Sequence, residues 1–198
     1  QRRDWNALMT PSSMRRRCDT PPNACARSHD AHRVADPTQA IELVPESPEA
    51  HIDRGFAKLK SKDYAGAVED YKFAHAHGRD DANTVHALAT ALSQLGSTQA
   101  NSGDTAGAVA SFAEAVDLQP SEGRCFNLGM VRMQAGDSDG AIAACRQALE
   151  FNPANFQAWY MVGVLGIQLE QWDTAHQGFT KAAAVKVGNE PWCLVRGL

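Results

Sequence analysis

A short pattern that recurs four times limits the fold of this sequence more than any other feature. Each copy has an alanine, an aromatic residue or cysteine four residues later, and a second alanine three residues after that. The first alanines are Ala67, Ala108, Ala141 and Ala175, so successive copies are 41, 33 and 34 residues apart. A period between 20 and 50 residues is typical of stacked repeats. The spacing therefore predicts a linear array of similar units.

Each unit has the pattern of a pair of helices. In the third unit, Ala141, Ile142, Cys145, Ala148 and Leu149 follow the i, i+1, i+4, i+7, i+8 spacing of an apolar helix face, whereas a strand would alternate. A Gly-Asp pair at 103–104, and again at 136–137, predicts a turn in which glycine ends one helix and aspartate caps the next. We therefore expect helical hairpins.

A glycine twelve residues before each first alanine predicts close contact within each hairpin. These glycines are Gly55, Gly96, Gly129 and Gly163. Small residues at fixed points on two successive helices let the helices approach closely, and Tyr71, Phe112 and Phe179 are placed to fill the space beside them.

These residues resemble the tetratricopeptide repeat family, a helix-turn-helix unit of 34 residues. When the positions of a unit are numbered 1 to 34, the third unit has the family residues Leu128, Gly129, Ala141, Ala148 and Pro153 at positions 7, 8, 20, 27 and 32. The resemblance implies an all-α fold, an alpha-alpha superhelix (solenoid) of antiparallel helix hairpins. It gives full repeats at 48–81, 89–121, 122–155 and 156–189, with partial repeats at 38–47 and 190–198.

The first repeat departs from the family pattern. It has His51 and Arg54 at positions 4 and 7, where the family often has tryptophan and leucine. The next repeat begins seven residues late, and seven residues is close to two helical turns. Two readings follow: a long helix that begins at Asn83 or Thr84 and runs to about Ala100, or a flexible loop through residues 79–83.

The chain divides near residue 37. The first 33 residues have seven arginines and three aspartates, a net charge of +4, together with prolines and no apolar periodicity, so we expect 1–37 to be a disordered basic tail. The remaining residues have twelve basic and twenty acidic groups, a net charge of −8, which argues against nucleic acid as a partner. The longest apolar stretch, at 158–167, is too short to span a membrane.

Compartment and completeness are also expectations from the sequence. Five cysteines, an odd count without close pairs, indicate reduced thiols in a cytoplasmic compartment. The arginine-rich beginning gives organelle import as the alternative. Because the chain starts at Gln1 and stops within the helix of a fifth unit, we expect a fragment of a longer protein with neighbouring domains.

No pattern in the sequence indicates catalysis, a cofactor or a metal. Phosphate-binding loops, nucleophile elbows and His-Glu-x-x-His motifs are all missing from the sequence. Cys18, Cys25, His29 and His32 are candidate zinc ligands, but six residues separate the cysteines, and structural zinc sites prefer closer pairs. Cys125 and Cys145 are offset by about one turn across a hairpin, which predicts small buried thiols rather than a disulfide.

The resemblance also implies a binding surface. In the family, positions 2, 5, 6, 9, 12 and 13 of each first helix face a concave groove. The residues that we predict to contact a partner there are mostly apolar, with amides between them: Ile52, Phe56, Gln94, Phe126, Asn127, Met130, Met133, Tyr160, Met161 and Gln168. The lysine, asparagine and arginine set of carboxylate-clamping co-chaperones is reduced to Asn127, and the asparagine ladder of sugar-transferring relatives is missing.

The sequence therefore favours a non-catalytic protein-protein interaction scaffold that binds a peptide or an amphipathic helix in an apolar groove. One alternative is the regulatory repeat array of a larger enzyme of the glycosyltransferase or phosphatase type, whose catalytic domain is outside this chain. A weaker alternative is an organellar assembly factor.

Overall fold

The computed structural model describes residue 38 and residues 41–42, 44–79 and 81–188. The predicted basic tail at 1–37, its candidate zinc ligands Cys18, Cys25, His29 and His32, and the partial repeat at 190–198 lie outside the described residues.

Residues 48–188 form four antiparallel helical hairpins. The helices are α1 Pro48–Lys60, α2 Tyr64–Ala76, α3 Ala82–Ser102, α4 Thr105–Leu118, α5 Glu122–Gln134, α6 Ser138–Phe151, α7 Phe156–Gln168 and α8 Trp172–Gly188. The extensive helix-helix contacts join helices that are adjacent in sequence, as in a stack in which each repeat touches its neighbours. The predicted all-α solenoid of hairpins is confirmed. None of these eight helices is both long enough and apolar enough to cross a membrane.

The turns within the hairpins form as the Gly-Asp pairs predict. Gly103 and Gly136 have φ values of 87° and 82°, in the left-handed region that glycine adopts without strain. The next residue then caps the second helix: the Asp104 carboxylate accepts a hydrogen bond of 2.9 Å from the Gly107 amide. The first and fourth hairpins have the same left-handed turn position occupied by Lys62 and Glu170. Four copies of one turn thus set the direction of every second helix.

Helices of one hairpin approach closely at the small residues. A methyl group at Gly96 would lie 2.9 Å from the Phe112 ring, so the aromatic residue fills the space that the glycine leaves. In the fourth hairpin two glycines face each other, and a methyl group at Gly178 would lie 2.4 Å from the Gly163 nitrogen. The predicted contact between the glycines and the aromatic residues is present.

The late start of the second repeat extends a helix. α3 has 21 residues and begins at Ala82, one residue before the earlier of the two predicted starting points. The reason is the cap: the Asp81 carboxylate accepts hydrogen bonds of 3.0 and 3.1 Å from the amides of Asn83 and Thr84. These hydrogen bonds lower the pKa of Asp81. Of the two readings, the long helix is the one that the structure contains.

The first repeat replaces an apolar contact with an ion cluster. The Asp70 side chain is 2% exposed and accepts hydrogen bonds from Arg54 Nε at 2.9 Å and Nη2 at 2.5 Å. Lys58 lies 3.0 Å from the same carboxylate. Burial by itself would raise the pKa of Asp70, but the hydrogen bonds from Arg54 and Lys58 outweigh it and lower the pKa. The pairing of Arg54 with Asp70 is therefore not visible when each repeat position is considered alone.

Candidate functional site

Two adjoining pockets lie between the first helices of successive hairpins. The first, here called the apolar pocket, lies between α5 and α7 and has a volume of about 420 Å³. It is lined by Phe126, Met130, Met133, Phe156, Gln157, Tyr160, Met161 and Val164. Five of the ten residues predicted to contact a partner, Phe126, Met130, Met133, Tyr160 and Met161, thus meet around one cavity.

Tyr160 is held in place although half of its surface is exposed. Its ring stacks against Phe156 at 6.0 Å between centroids and meets Phe179 edge-on at 5.7 Å. These contacts fix the ring, and 51% of Tyr160 remains exposed toward solvent. A large aromatic side chain that is both ordered and exposed has the properties of a binding anchor.

Phe156 is a pocket residue that the sequence reasoning missed. It occupies the first position of its repeat, which is outside the set of positions taken to face the groove, and 39% of it is exposed. The signal was in the sequence, because Phe156 precedes Tyr160 by four residues and side chains at that spacing share a helix face.

A buried thiol contacts Met161, one of the residues that line the apolar pocket. Cys145 is buried, and its Sγ donates a hydrogen bond of 3.3 Å to the Met161 Sδ. Burial raises the pKa of Cys145 to about 11, so the thiol remains protonated at neutral pH and keeps its hydrogen. Cys125 is also buried, and burial raises its pKa too. Both cysteines are free, as predicted.

The second pocket, here called the amide pocket, lies between α3 and α5 and has a volume of about 300 Å³. It is lined by Ser97, Ala100, Asn101, Phe112, Asn127, Met130, Val131 and Gln134. Met130 lines both pockets, so the two cavities adjoin at this side chain. Together they form what we call the groove.

The four remaining predicted contact residues line neither pocket. Ile52 is partly buried and packs against the core cluster that includes Tyr71. Phe56 is 54% exposed, with the Lys60 ammonium 5.1 Å from its ring centroid. Gln94 and Gln168 are exposed and line neither pocket.

No cluster of three or more His, Cys, Asp or Glu side chains that is suited to a metal ion occurs in the described part of the chain. The chemistry that the groove offers is apolar contact and hydrogen bonding by amides.

Comparisons with known proteins agree with this architecture. Two models of the tetratricopeptide repeat family match residues 89–122 and 124–155. No curated protein matches the sequence. The chain is similar to the solved structure of MamA, at 18% identity over 84% of this chain and 95% of that one, with a TM-score of 0.52. It is also similar to YrrB, described as a TPR protein with an unusual peptide-binding site, at 20% identity over 89% of this chain and 88% of that one, with a TM-score of 0.53. At these identities the likeness establishes the fold.

Proposed function

Because the chain is a tetratricopeptide repeat protein, a class of protein-interaction scaffold, we propose that it acts without catalysis by binding a segment of a partner protein in the groove. The main support for this proposal is the set of exposed apolar side chains that line the apolar pocket. Tyr160, Phe156 and Met130 all line this pocket and are 51%, 39% and 37% exposed, and the two aromatic rings stack on each other. A contiguous exposed apolar patch beside polar groups is typical of a binding site.

The repeat architecture supports this choice of surface. The pockets lie between first helices of neighbouring hairpins, so the second, third and fourth hairpins all add residues to the groove. YrrB, which has a similar fold, is described as a TPR protein with an unusual peptide-binding site. This supports the proposal by analogy of fold alone. We place this activity in the cytoplasm, where thiols such as Cys125 and Cys145 remain reduced.

Selection of peptides on the full 198-residue chain tests the proposal. A random twelve-residue library displayed on phage is enriched on the wild-type chain, and the affinities of the selected peptides are measured by fluorescence anisotropy. Phe126→Ala and Tyr160→Ala each remove an anchor and should weaken binding by more than about 1 kcal/mol, or about fivefold.

Phe151→Ala is the matched control, since Phe151 is 51% exposed but lies at the end of α6, outside the groove. It should leave the affinities unchanged. Selected peptides that bind the Phe126→Ala/Tyr160→Ala double variant as tightly as the wild type would show that the groove is not the binding surface.

A further inference from the structure

The side of the fourth hairpin that points away from the third hairpin is largely apolar and exposed. In the second hairpin the corresponding side is covered: Phe112 and Val116 of α4 are 2% and 6% exposed and share a core cluster with Leu128 of α5. The residues at the same repeat positions on α8 are Phe179, which is half-buried, and Ala183, which is exposed. The fourth hairpin thus presents a surface that the preceding repeats bury.

The rest of this surface differs from the preceding repeats in the same way. Ile167 of α7 is 49% exposed, whereas Met133, at the same position of α5, packs against a core cluster. His176 of α8 is exposed, whereas Ile142, at the same position of α6, belongs to that cluster. Contiguous exposed apolar surface is typical of an interaction site. The surface, here called the trailing face, consists of Ile167, His176, Phe179, Thr180 and Ala183, none of which lines the groove.

The length of α8 affects what can cover the trailing face. α8 has 17 residues, whereas α4 and α6 each have 14 from the same starting position of the repeat. Those two helices end shortly before Pro120 and Pro153, and the corresponding residue of the fourth repeat is Val187, which can continue a helix. A next hairpin at the 34-residue period would begin at residue 190, with one connecting residue after α8, whereas three to five residues connect the four hairpins. An occupant other than a next hairpin therefore fits the trailing face better.

The opposite end of the array is polar, which argues against end-to-end stacking of copies. At the position where Leu128 packs into the cluster shared with the preceding hairpin, the first hairpin has Arg54. The Arg54 guanidinium pairs with Asp70, and Lys58 lies beside the same carboxylate. A trailing face placed on this end of another copy would remove these charged groups from water without giving them a new partner. The trailing face has no Asp, Glu, Lys or Arg, so two trailing faces can meet without that cost.

We infer that two copies of the chain associate through their trailing faces around a twofold axis. In such an interface each face meets the same face of the other copy, so association ends at a dimer. α7 and α8 are about 20 and 25 Å long and each about 10 Å wide, so two paired faces bury on the order of 1,000 Å², near the lower limit of a specific interface. We therefore expect a dissociation constant in the micromolar range. Because the groove lies outside this interface, the inference goes beyond the proposed function.

Sedimentation equilibrium of the full 198-residue chain tests the inference. The apparent mass should rise from 21.4 kDa toward twice that value between roughly 1 and 100 µM protein. A mass that remains at the monomer value overturns the inference. A mass that continues to rise beyond the dimer also overturns it, because only an open, end-to-end arrangement adds further copies.

Two charge substitutions test whether the trailing face forms the interface. Ile167→Asp and Ala183→Asp each place a carboxylate from both copies in one apolar interface and should weaken the dimer at least about tenfold. Both positions are exposed in the single chain, so each variant should keep the helical circular dichroism of the wild type. Ala184→Asp is the matched control, because this exposed position of α8 corresponds to Asp117 and Glu150 in the preceding hairpins. It should dimerise as the wild type does, and a dimer that persists in both trailing-face variants overturns the inference.

Phe126→Ala separates the inference from the proposed function. Phe126 lines the groove and is not part of the trailing face, so this variant should dimerise as the wild type does while its affinity for the selected peptides falls. Loss of the dimer in Phe126→Ala would mean that the copies meet at the groove, which overturns the inference. Unchanged peptide affinity with an intact dimer would count against the proposed function alone.

Discussion

Replacing Gly178 with alanine tests the close packing between α7 and α8. At a solvent-exposed position within a helix, a change from glycine to alanine stabilises by up to about 1 kcal/mol. At Gly178 the added methyl group would lie 2.4 Å from the Gly163 nitrogen and 2.9 Å from the Trp159 carbonyl oxygen. Both atoms belong to the backbone, so no side-chain rotation relieves the contact.

The two helices must separate to accommodate the methyl group. Overpacking of this kind costs about 1–3 kcal/mol, and here the separation also loosens the contact between Phe179 and Gly163. After subtraction of the gain in helix propensity, we expect Gly178→Ala to lower the free energy of unfolding by about 1 kcal/mol. Urea unfolding followed by circular dichroism at the helix band measures the loss.

Gly123→Ala is the matched control. Gly123 is exposed in the first turn of α5, and a methyl group there meets nothing within 4 Å. This variant should be unchanged or more stable by about 0.5 kcal/mol. If Gly178→Ala is as stable as the wild type, the packing of α7 against α8 does not need a glycine at position 178. That result would refute the reasoning.

Further predictions concern the ion cluster, a turn and the cysteines. Arg54→Leu should lower the free energy of unfolding by about 2–4 kcal/mol, because the buried Asp70 carboxylate loses its main partner. Adding Asp70→Ala should restore most of this free energy, as urea unfolding would show. The pKa of Asp70 is lowered on folding, so its contribution is present above pH about 4 and lost as the pH falls through the folded pKa; the double variant should show a shallower loss of unfolding free energy in acid. Glu170→Gly should raise the free energy of unfolding by about 0.5–1 kcal/mol, since Glu170 has a φ of 56°, and an unchanged or lower value would contradict a strained turn. Cys125 and Cys145 should resist iodoacetamide at neutral pH in the native chain and react after denaturation, as peptide mass spectrometry would show; fast native labelling would contradict their burial.

The repeat period and the Gly-Asp pairs were enough to predict the hairpins and their turns, whereas the groove residues were predicted from the family resemblance. The pairing of a glycine with an aromatic residue, as in Gly96 and Phe112, depends on positions fixed by helix geometry, so spacing alone predicts it. Met130 and Tyr160 were predicted differently, from the positions that face the groove in the family that the repeats resemble, and both line the apolar pocket.

The features that the sequence did not predict depend on pairs of residues. Arg54 differs from the leucine that the family often has at this position, and its partner Asp70 lies on the facing helix. A comparison that takes one repeat position at a time does not show that the two residues pair. Ile52, predicted to contact a partner, lines neither pocket and packs against the core cluster that includes Tyr71. Phe156 lines the pocket from a repeat position outside the family's groove set, and only its four-residue spacing from Tyr160 indicates this in the sequence.

The most direct test of the groove as the binding surface is the affinity of the selected peptides for a Met130→Glu variant. Met130 lines both pockets, so a carboxylate there places a charge at their junction. The variant should bind at least about tenfold more weakly than the wild type while unfolding at the same urea concentration. Ala143→Glu, an exposed position on α6, should bind as the wild type does. Unchanged affinity of the Met130→Glu variant would contradict the central claim.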